Sequence, residues 1–497
     1  MCRLCDSNQG HQITHRIFDF NLLLNIMNKN LGLVWIREDF RTLRNFALSH
    51  ASKNHKSIVA FYIYKSKKFK DKEAQKWWVY NSIKNFKDDL KKYNINFQIV
   101  SSESYKNFFD ELVKRRNISL YWNKIYEPDY LKFDDYLRDK LTDSGNEFKI
   151  FKGNILNEFH EIKKNDDTPF KVFTPYWRSA EKFYSEKVPI KVNKLNNSKE
   201  FLSFFKEINF KDILPKSGWH IKFEDQWVPN EQEGLKKLKV FFNKKLSKYS
   251  VDRNIPSLLG TSKLSPYIKH GQLHVETIWE ESLKLKDNKR YLQKFIAEIG
   301  WREFSHSLIN YFPHMLKGNY SKKFDKFPWQ KNLKFLSAWR KGLTGYPIVD
   351  AGMRELYATG WMHNRVRMIV GSFLTKNLLL HWKLGEEWFF DTLVDADVGS
   401  NSAGWQWISG CGADASPYFR IFNPILQGQK FDPKGEYVKK YIPELQNVTS
   451  KFIHNPWEMS EESQVNCGCT IGKDYPNPIV DLRETRIRAL SAFKTIS

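Results

Sequence analysis

Long apolar runs are missing: no stretch of about eighteen residues is uniformly apolar, so nothing in the chain reads as a membrane-spanning helix. The N-terminus has no charged segment followed by an apolar core and a small-residue cleavage site, which argues against secretion. Cysteine is scarce and odd in number, five scattered through 497 residues; that excludes a disulfide framework and fits a reducing, cytoplasmic setting. No GxGxxG follows the first strand-like run, so an ordinary dinucleotide site is not expected there. Acid is in deficit: Lys and Arg outnumber Asp and Glu by 80 to 56, and the net charge of +24 calls for a polyanionic partner such as nucleic acid.

Aromatics are plentiful. Trp, Tyr and Phe make up 15% of the chain, and such rings stack on flat ligands, whether bases or flavins. At 497 residues there is room for two or three domains with substantial cores.

Residues 1–30 read as an extension. Cys2, Cys5, His11 and His15 lie too close together for a zinc finger, so no metal is expected, and Met27 precedes the first clear strand. From Leu31 short apolar runs alternate with amphipathic segments. LGLVWI, SIVAFYIY, INFQIV and ISLYWN have the character of buried strands, and the segments near 72–92 and 103–116 that of helices. This alternation predicts an α/β domain over 31–160, a doubly wound parallel sheet covered on both faces. Residues 161–230, rich in Lys and Asn, read as an interdomain linker. Beyond 231 the strand signal vanishes, and 231–497 is expected to form a large all-α domain, with one helical segment running from Asn364 to Trp382.

Four clusters in the helical part carry chemistry. Gly260-Thr-Ser-Lys-Leu-Ser-Pro266, with Tyr249 upstream, places hydroxyls and a cation before a helix, a combination that suits phosphate or pyrophosphate. Glu298, Trp301 and Arg302 share a long helix; Glu298 and Arg302 could bridge, or Glu298 and Trp301 could line a pocket. Asn364, Arg367 and Met368 fall on one helix face, and an inward arginine would need an acid, for which Asp395 is the candidate. The last is a Gly/Ser-rich stretch from Asp391 to Pro424, read as a loop, with Asp395, Asp397, Asn401, Trp405, Trp407 and Arg420. A calcium loop fails there, because the glycine is misplaced and the twelfth position is Gln406.

TSKLSPY, WREF, GYPIVDAGMRELYATGWMHNRVRM, the stretch from Asp395 to Trp407 and ASPYFRIFNPILQGQKFDPKGEYVKKYIPEL together resemble the photolyase/cryptochrome family, most of all its class I cyclobutane pyrimidine dimer photolyases. The resemblance covers the chain from Leu31 to its end. It implies an FAD held by Tyr249, Thr261, Ser262, Lys263, Leu264, Ser265, Arg302, Asn364, Arg367, Asp395, Asp397 and Asn401. It further implies that Glu298, Asn364, Trp301, Trp407 and Met368 receive a flipped-out dimer, and that Arg253, Arg365 and Arg420 meet DNA phosphates. Trp405, Trp382 and Trp329 match the family's electron-transfer chain. The implied activity is light-driven repair of DNA containing pyrimidine dimers by a monomer that does not engage membranes; a cryptochrome-type light sensor and a (6-4) photolyase are the alternatives. A second, antenna chromophore, folate or deazaflavin, is expected. Glu127 and Lys317 are candidate contacts for it, while Tyr130 stands where folate-binding members place an acid. Cys467 and Cys469 form a CxC pair with no role assigned.

Overall fold

The computed structural model describes residues 30–496 apart from 71, 116, 185–189, 197–201, 203–206, 216, 286–288 and 416–418. Cys2, Cys5, His11, His15 and Met27 lie outside the described residues. Two compact units emerge. One comprises the described part of Met1–Lys68, with Ile83–Gly153 and Val188–Asp212; the other comprises Phe69–Ser82, Asn154–Lys187 and the described part of Ile213–Ser497. The boundaries drawn at 160 and 230 therefore do not coincide with the compact units, because the intervening chain contributes to both.

In the first unit β1 (Leu31–Ile36), α1 (Phe46–Asn54), β2 (Ser57–Tyr64), the second half of α2 (Glu73–Lys91), β3 (Asn96–Ser101), α3 (Tyr105–Val113), β4 (Ser119–Asn123), α4 (Pro128–Asp143) and β5 (Glu147–Phe151) follow in order. The strands form one parallel sheet in the order β3-β2-β1-β4-β5. Every residue of β1 and β4 is buried, which is why these strands read as unbroken apolar runs instead of alternating ones. The edge strand β5 is half-buried or exposed throughout, and its short EFKIF run gave no strand signal. The strand order reverses between β1 and β4, so right-handed crossovers place helices on both faces. At that point Arg37 pairs with the buried Asp134 at 2.9 Å.

The second unit is helical. Its elements used below are α5 (Phe173–Phe183), α6 (Glu231–Lys244), α7 (Ser265–Lys269), α8 (Lys289–Tyr311), α9 (Leu333–Lys341), α10 (Pro347–Thr359), α11 (Asn364–Ser372), α12 (Trp382–Thr392), α13 (Val398–Ser409) and α14 (Leu482–Lys494). Three features correct the sequence reading. The supposed linker holds α5, which buries Phe173, Tyr176, Trp177 and Ala180; spacing of three and four turns these onto one face. The segment from Asn364 to Trp382 is broken: α11 ends at Ser372, a π-turn spans Phe373–Asn377, and Leu379 adopts a left-handed φ of +52° before α12 begins. The Gly/Ser-rich stretch is helix, not loop, from Val398 to Ser409. Asp397 caps it by accepting the Ser400 N–H at 2.7 Å, and Gly399 lies where the helix comes close to His306: a Cβ there would be 3.2 Å from the His306 backbone nitrogen.

Two apolar clusters fill this unit. One gathers Trp339, Phe373, Trp382, Phe389 and Trp405; the other gathers Trp77, Trp78, Trp177, Phe241, Phe295 and Phe304. The aromatic excess is thus spent largely on cores, and the polar stretches between them stand out as sites.

Candidate functional site

The arginine of α11 finds the acid expected of it. One Arg367 guanidinium nitrogen lies 2.9 and 3.1 Å from the two oxygens of Asp395, whose side chain is 2% exposed, and its Nε donates to the Met362 carbonyl at 2.8 Å. Ser265, opening α7, donates its hydroxyl to the same carboxylate at 2.6 Å. Two residues on, Asp397 meets the His306 imidazole at 2.9 Å. Burial alone would raise the Asp397 carboxyl, but His306, Arg302 and Lys269 hold it well below the usual carboxylate range. It is an anion at neutral pH. Asn401, one turn into α13, is buried and donates to the Glu386 carbonyl at 3.1 Å, while its neighbour Ser402 bonds the Glu386 carboxylate.

A second set of contacts involves Arg365 and Met368 of α11. Glu298 on α8 pairs with Arg253 at 2.6 Å. The adjacent Asn254 accepts from Arg365 at 2.7 Å, and Arg365 in turn reaches the Met368 sulfur at 3.7 Å and lies over the Phe431 ring. Asn364, the first residue of α11, is exposed beside these groups. Its helix is anchored from below. His363 caps α11 through Nδ1, which accepts the Arg365 N–H, and the His363 N–H donates to buried Glu355, which also accepts from Tyr437 and Tyr441. Burial, with Arg367, Arg365 and Lys263 adding their charge, pushes His363 down to about 3, so it is neutral.

Several expectations need restating. Glu298 and Arg302 do not bridge. Arg302 instead donates to Glu303 at 3.1 Å and to the Asn154 carbonyl at 2.8 Å, and the partner of Glu298 is Arg253. Trp301 has one face covered by Phe173, stacked at 3.8 Å and 10°, so only its remaining surface is open to a ligand ring. Trp407 is half-buried against the core, and Arg420 is exposed.

The loop before α7 brings two hydroxyls and a lysine together. Thr261 and Ser262 are half-buried, and their hydroxyls make no side-chain hydrogen bond among the described residues. Lys263 takes a left-handed φ of +53°, with its ammonium 4.8 Å from the Trp361 ring and 5.7 Å from that of Trp227. Burial lowers this ammonium, partly offset by Glu355. Leu264 and Tyr249 are buried, the latter edge-on to Phe241 and Phe295. Helix α7 is only five residues long, so the hydroxyls and the lysine matter more here than a helix dipole.

Of the three tryptophans, Trp405 is packed by Phe389 at 4.9 Å and Trp339 at 6.1 Å, and rests on Gly385, where a Cβ would collide with its ring. Trp382 is fully buried and donates to Asn319 at 2.9 Å; Trp329 is half-buried. Glu127 immediately precedes α4 at the point of strand reversal in the first unit, and Tyr130 sits there with the Lys68 ammonium 5.2 Å and the Arg37 guanidinium 5.7 Å from its ring. Lys317, in the second unit, is exposed. His306, Asn254, Phe173 and Glu386 were missed from the sequence. His306 alone left a signal, four residues after Arg302 on one helix face.

Comparison with known proteins decides what these residues belong to. A family model described as the FAD binding domain of DNA photolyase matches residues 295–495, and one described as DNA photolyase matches residues 32–193. The deoxyribodipyrimidine photo-lyase of Agrobacterium fabrum is 39% identical over 467 residues, 93% of this chain and 98% of that protein. The chain belongs to the photolyase/cryptochrome family. Arabidopsis thaliana cryptochrome-2 is 32% identical over 92% of this chain and 78% of its own length. A crystal structure described as a bacterial class III photolyase from Agrobacterium tumefaciens superposes with a TM-score of 0.89 at 38% identity, covering 95% of this chain and 98% of that one. The class I resemblance drawn from the sequence thus meets a neighbour described as class III. The chain carries the family's FAD-binding domain, and the residues present fit that cofactor: free hydroxyls and a lysine suit a diphosphate, and the Arg367–Asp395 pair with Asn401 offers fixed polar partners for a flavin ring. Among the described residues no helix is long and apolar enough to cross a membrane.

Proposed function

We propose that this protein repairs cyclobutane pyrimidine dimers in DNA, using light. Bound FAD in its reduced form supplies the photoexcited electron donor that opens the cyclobutane ring and takes the electron back. The observation that carries the reading is the two sets of contacts that meet at α11: Asn254–Arg365–Met368, with Glu298–Arg253 next to Asn254, and Arg367–Asp395–Ser265. A single rigid helix thereby holds a lesion-facing amide, Asn364, in register with an ion pair suited to the flavin, and placement of this kind is what electron transfer demands of the protein.

Thr261, Ser262 and Lys263 bind the diphosphate; Tyr249, Leu264, Ser265 and Arg302 complete that wall; Arg367, Asp395, Asp397 and Asn401 orient the ring. Asn364 and Glu298 face the dimer's polar edge, and Trp301, Trp407 and Met368 exclude water from its rings. Arg365, Arg420 and Arg253 supply positive charge for the phosphates, Arg253 while remaining tied to Glu298. Flipping costs a few kcal/mol of unstacking, less at a lesion that already pairs badly. Trp405, Trp382 and Trp329 form a relay that delivers electrons inward. Glu127 and Tyr130, at the strand reversal, are placed to hold a folate or deazaflavin antenna. The protein acts as a monomer in the cytoplasm.

His363 is followed by Asn364 where a (6-4) enzyme shows a second histidine, which disfavours that lesion. Binding to dimer-containing and undamaged duplexes across a salt series tests the reading. The dimer-containing duplex should bind more tightly at every salt concentration, with both affinities falling as salt rises; equal affinity for the two would contradict it.

A further inference from the structure

Trp329 and Trp382 share a neighbour. The rings touching Trp329 are Phe327, at 4.4 Å, and His381, at 5.1 Å and 60°. The Trp382 indole meets His381 at 5.4 Å and 30°, and on its other flank the Lys383 ammonium at 5.0 Å. Among the described residues the imidazole is in ring contact with both indoles. Its tautomer is fixed. His381 caps α12 by accepting the Lys383 N–H on Nδ1 at 3.1 Å, so the ring proton resides on Nε2. Burial, the Lys383 charge and the positive end of an eleven-residue helix all oppose a second proton. Lys383 is itself paired with Glu386 at 2.5 Å and donates to the Leu316 carbonyl at 2.7 Å.

We infer that His381 is the bridge of the relay's outer step, a neutral imidazole through which an electron passes from Trp329 to oxidised Trp382. The inference rests on reading Trp405, Trp382 and Trp329 as a relay. In the step Trp382, oxidised by one electron, takes one electron from Trp329, which becomes the radical cation; the imidazole gains and loses none. A thiol reductant from solution then gives Trp329 one electron and is itself oxidised to a thiyl radical, releasing its proton to water. The Trp382 indole N–H donates to the Asn319 amide, which cannot keep a proton, so oxidised Trp382 stays cationic and continues to draw the electron. An imidazolium between the two indoles would oppose that positive charge from the middle of the path, which gives the Nδ1 cap a purpose beyond starting a helix.

Capping and bridging can be separated by two substitutions. His381→Asn keeps a preferred N-cap and removes the ring; His381→Phe keeps a ring and removes the cap. In the FAD-loaded, oxidised protein, followed by time-resolved absorption of the tryptophan radicals, His381→Asn should slow formation of the Trp329 radical about tenfold or more, while His381→Phe stays within about threefold of the parent. Melting of the flavin-free proteins should rank them the other way, with His381→Phe lowered and His381→Asn unchanged. A purely structural histidine predicts the reverse pattern in the radical signal: parent-like transfer in His381→Asn with loss in Trp329→Phe would overturn the bridge alone. Parent-like photoreduction in Trp329→Phe would overturn the relay and the bridge with it.

Discussion

Replacing Asp395 by Asn tests the contact on which the flavin-facing wall depends. The Asp395 side chain is 2% exposed and that of Arg367 is 24% exposed, and the carboxylate takes both the guanidinium and the Ser265 hydroxyl. Removing one partner of a buried pair costs about 3–5 kcal/mol because a charge is left without compensation. Water reaching the open quarter of Arg367 puts this case at the lower end, ~3 kcal/mol, since Asn still accepts from Ser265. For a helical unit of this size that corresponds to a melting temperature lowered by about 5 °C. Arg367→Met should cost a similar amount by stranding Asp395. The double variant should cost less than the sum of the singles, the shortfall being the coupling, about 3 kcal/mol. The assay is thermal melting of the flavin-free proteins, with FAD titration alongside, where each single variant should retain flavin at least about tenfold less tightly. Additive melting effects in the double variant would refute the reasoning, because they would mean that the two side chains do not sense each other.

Asn364→Ala changes an exposed side chain, so stability should stay within about 0.5 kcal/mol and flavin content should not change, while repair falls; loss of FAD, read from absorbance, would contradict its placement toward the lesion. Trp329→Phe should abolish photoreduction of the oxidised protein yet leave repair by chemically pre-reduced protein intact, and equal loss of both would count against the relay. His363 carries a pH signature. Held near 3 in the folded protein against 6.5 when unfolded, it takes up a proton in the unfolded chain first, so stability is full above 6.5 and is lost as pH falls toward 3. Between pH 7 and 5 this amounts to about 2 kcal/mol. His363→Asn, which preserves the cap, should flatten that slope in melting curves, and an unchanged slope would show that other groups carry it.

How far the sequence reached follows from what kind of signal each element left. Strands β1 to β4 were legible because burial on both faces demands unbroken apolar runs, and β5 was not because an edge strand of five residues needs no such run. Helix α13 was hidden by composition: Gly399 and the serines look like a turn, whereas Gly399 lies close against His306, Ser400 donates its N–H to the Asp397 cap and Ser402 bonds Glu386. The partner of Arg367 was foreseeable from charge alone, since an inward cation demands an acid. The partners of Glu298 and Arg302 were not, because spacing of four on a helix predicts a local pair and the tertiary contacts to Arg253 and Asn154 override it. Phe173 and His381 escaped notice for a similar reason. Their roles arise from rings brought together across the fold, and aromatic content says nothing about which ring meets which.

The central claim is tested most directly by incubating the reduced, FAD-loaded protein with an oligonucleotide carrying one thymine cyclobutane dimer under blue light, with a dark control and a (6-4) lesion in parallel. Restoration of thymines in the illuminated dimer sample alone is the result this account predicts. Flavin binding without repair of the dimer, or repair confined to the (6-4) lesion, would contradict it.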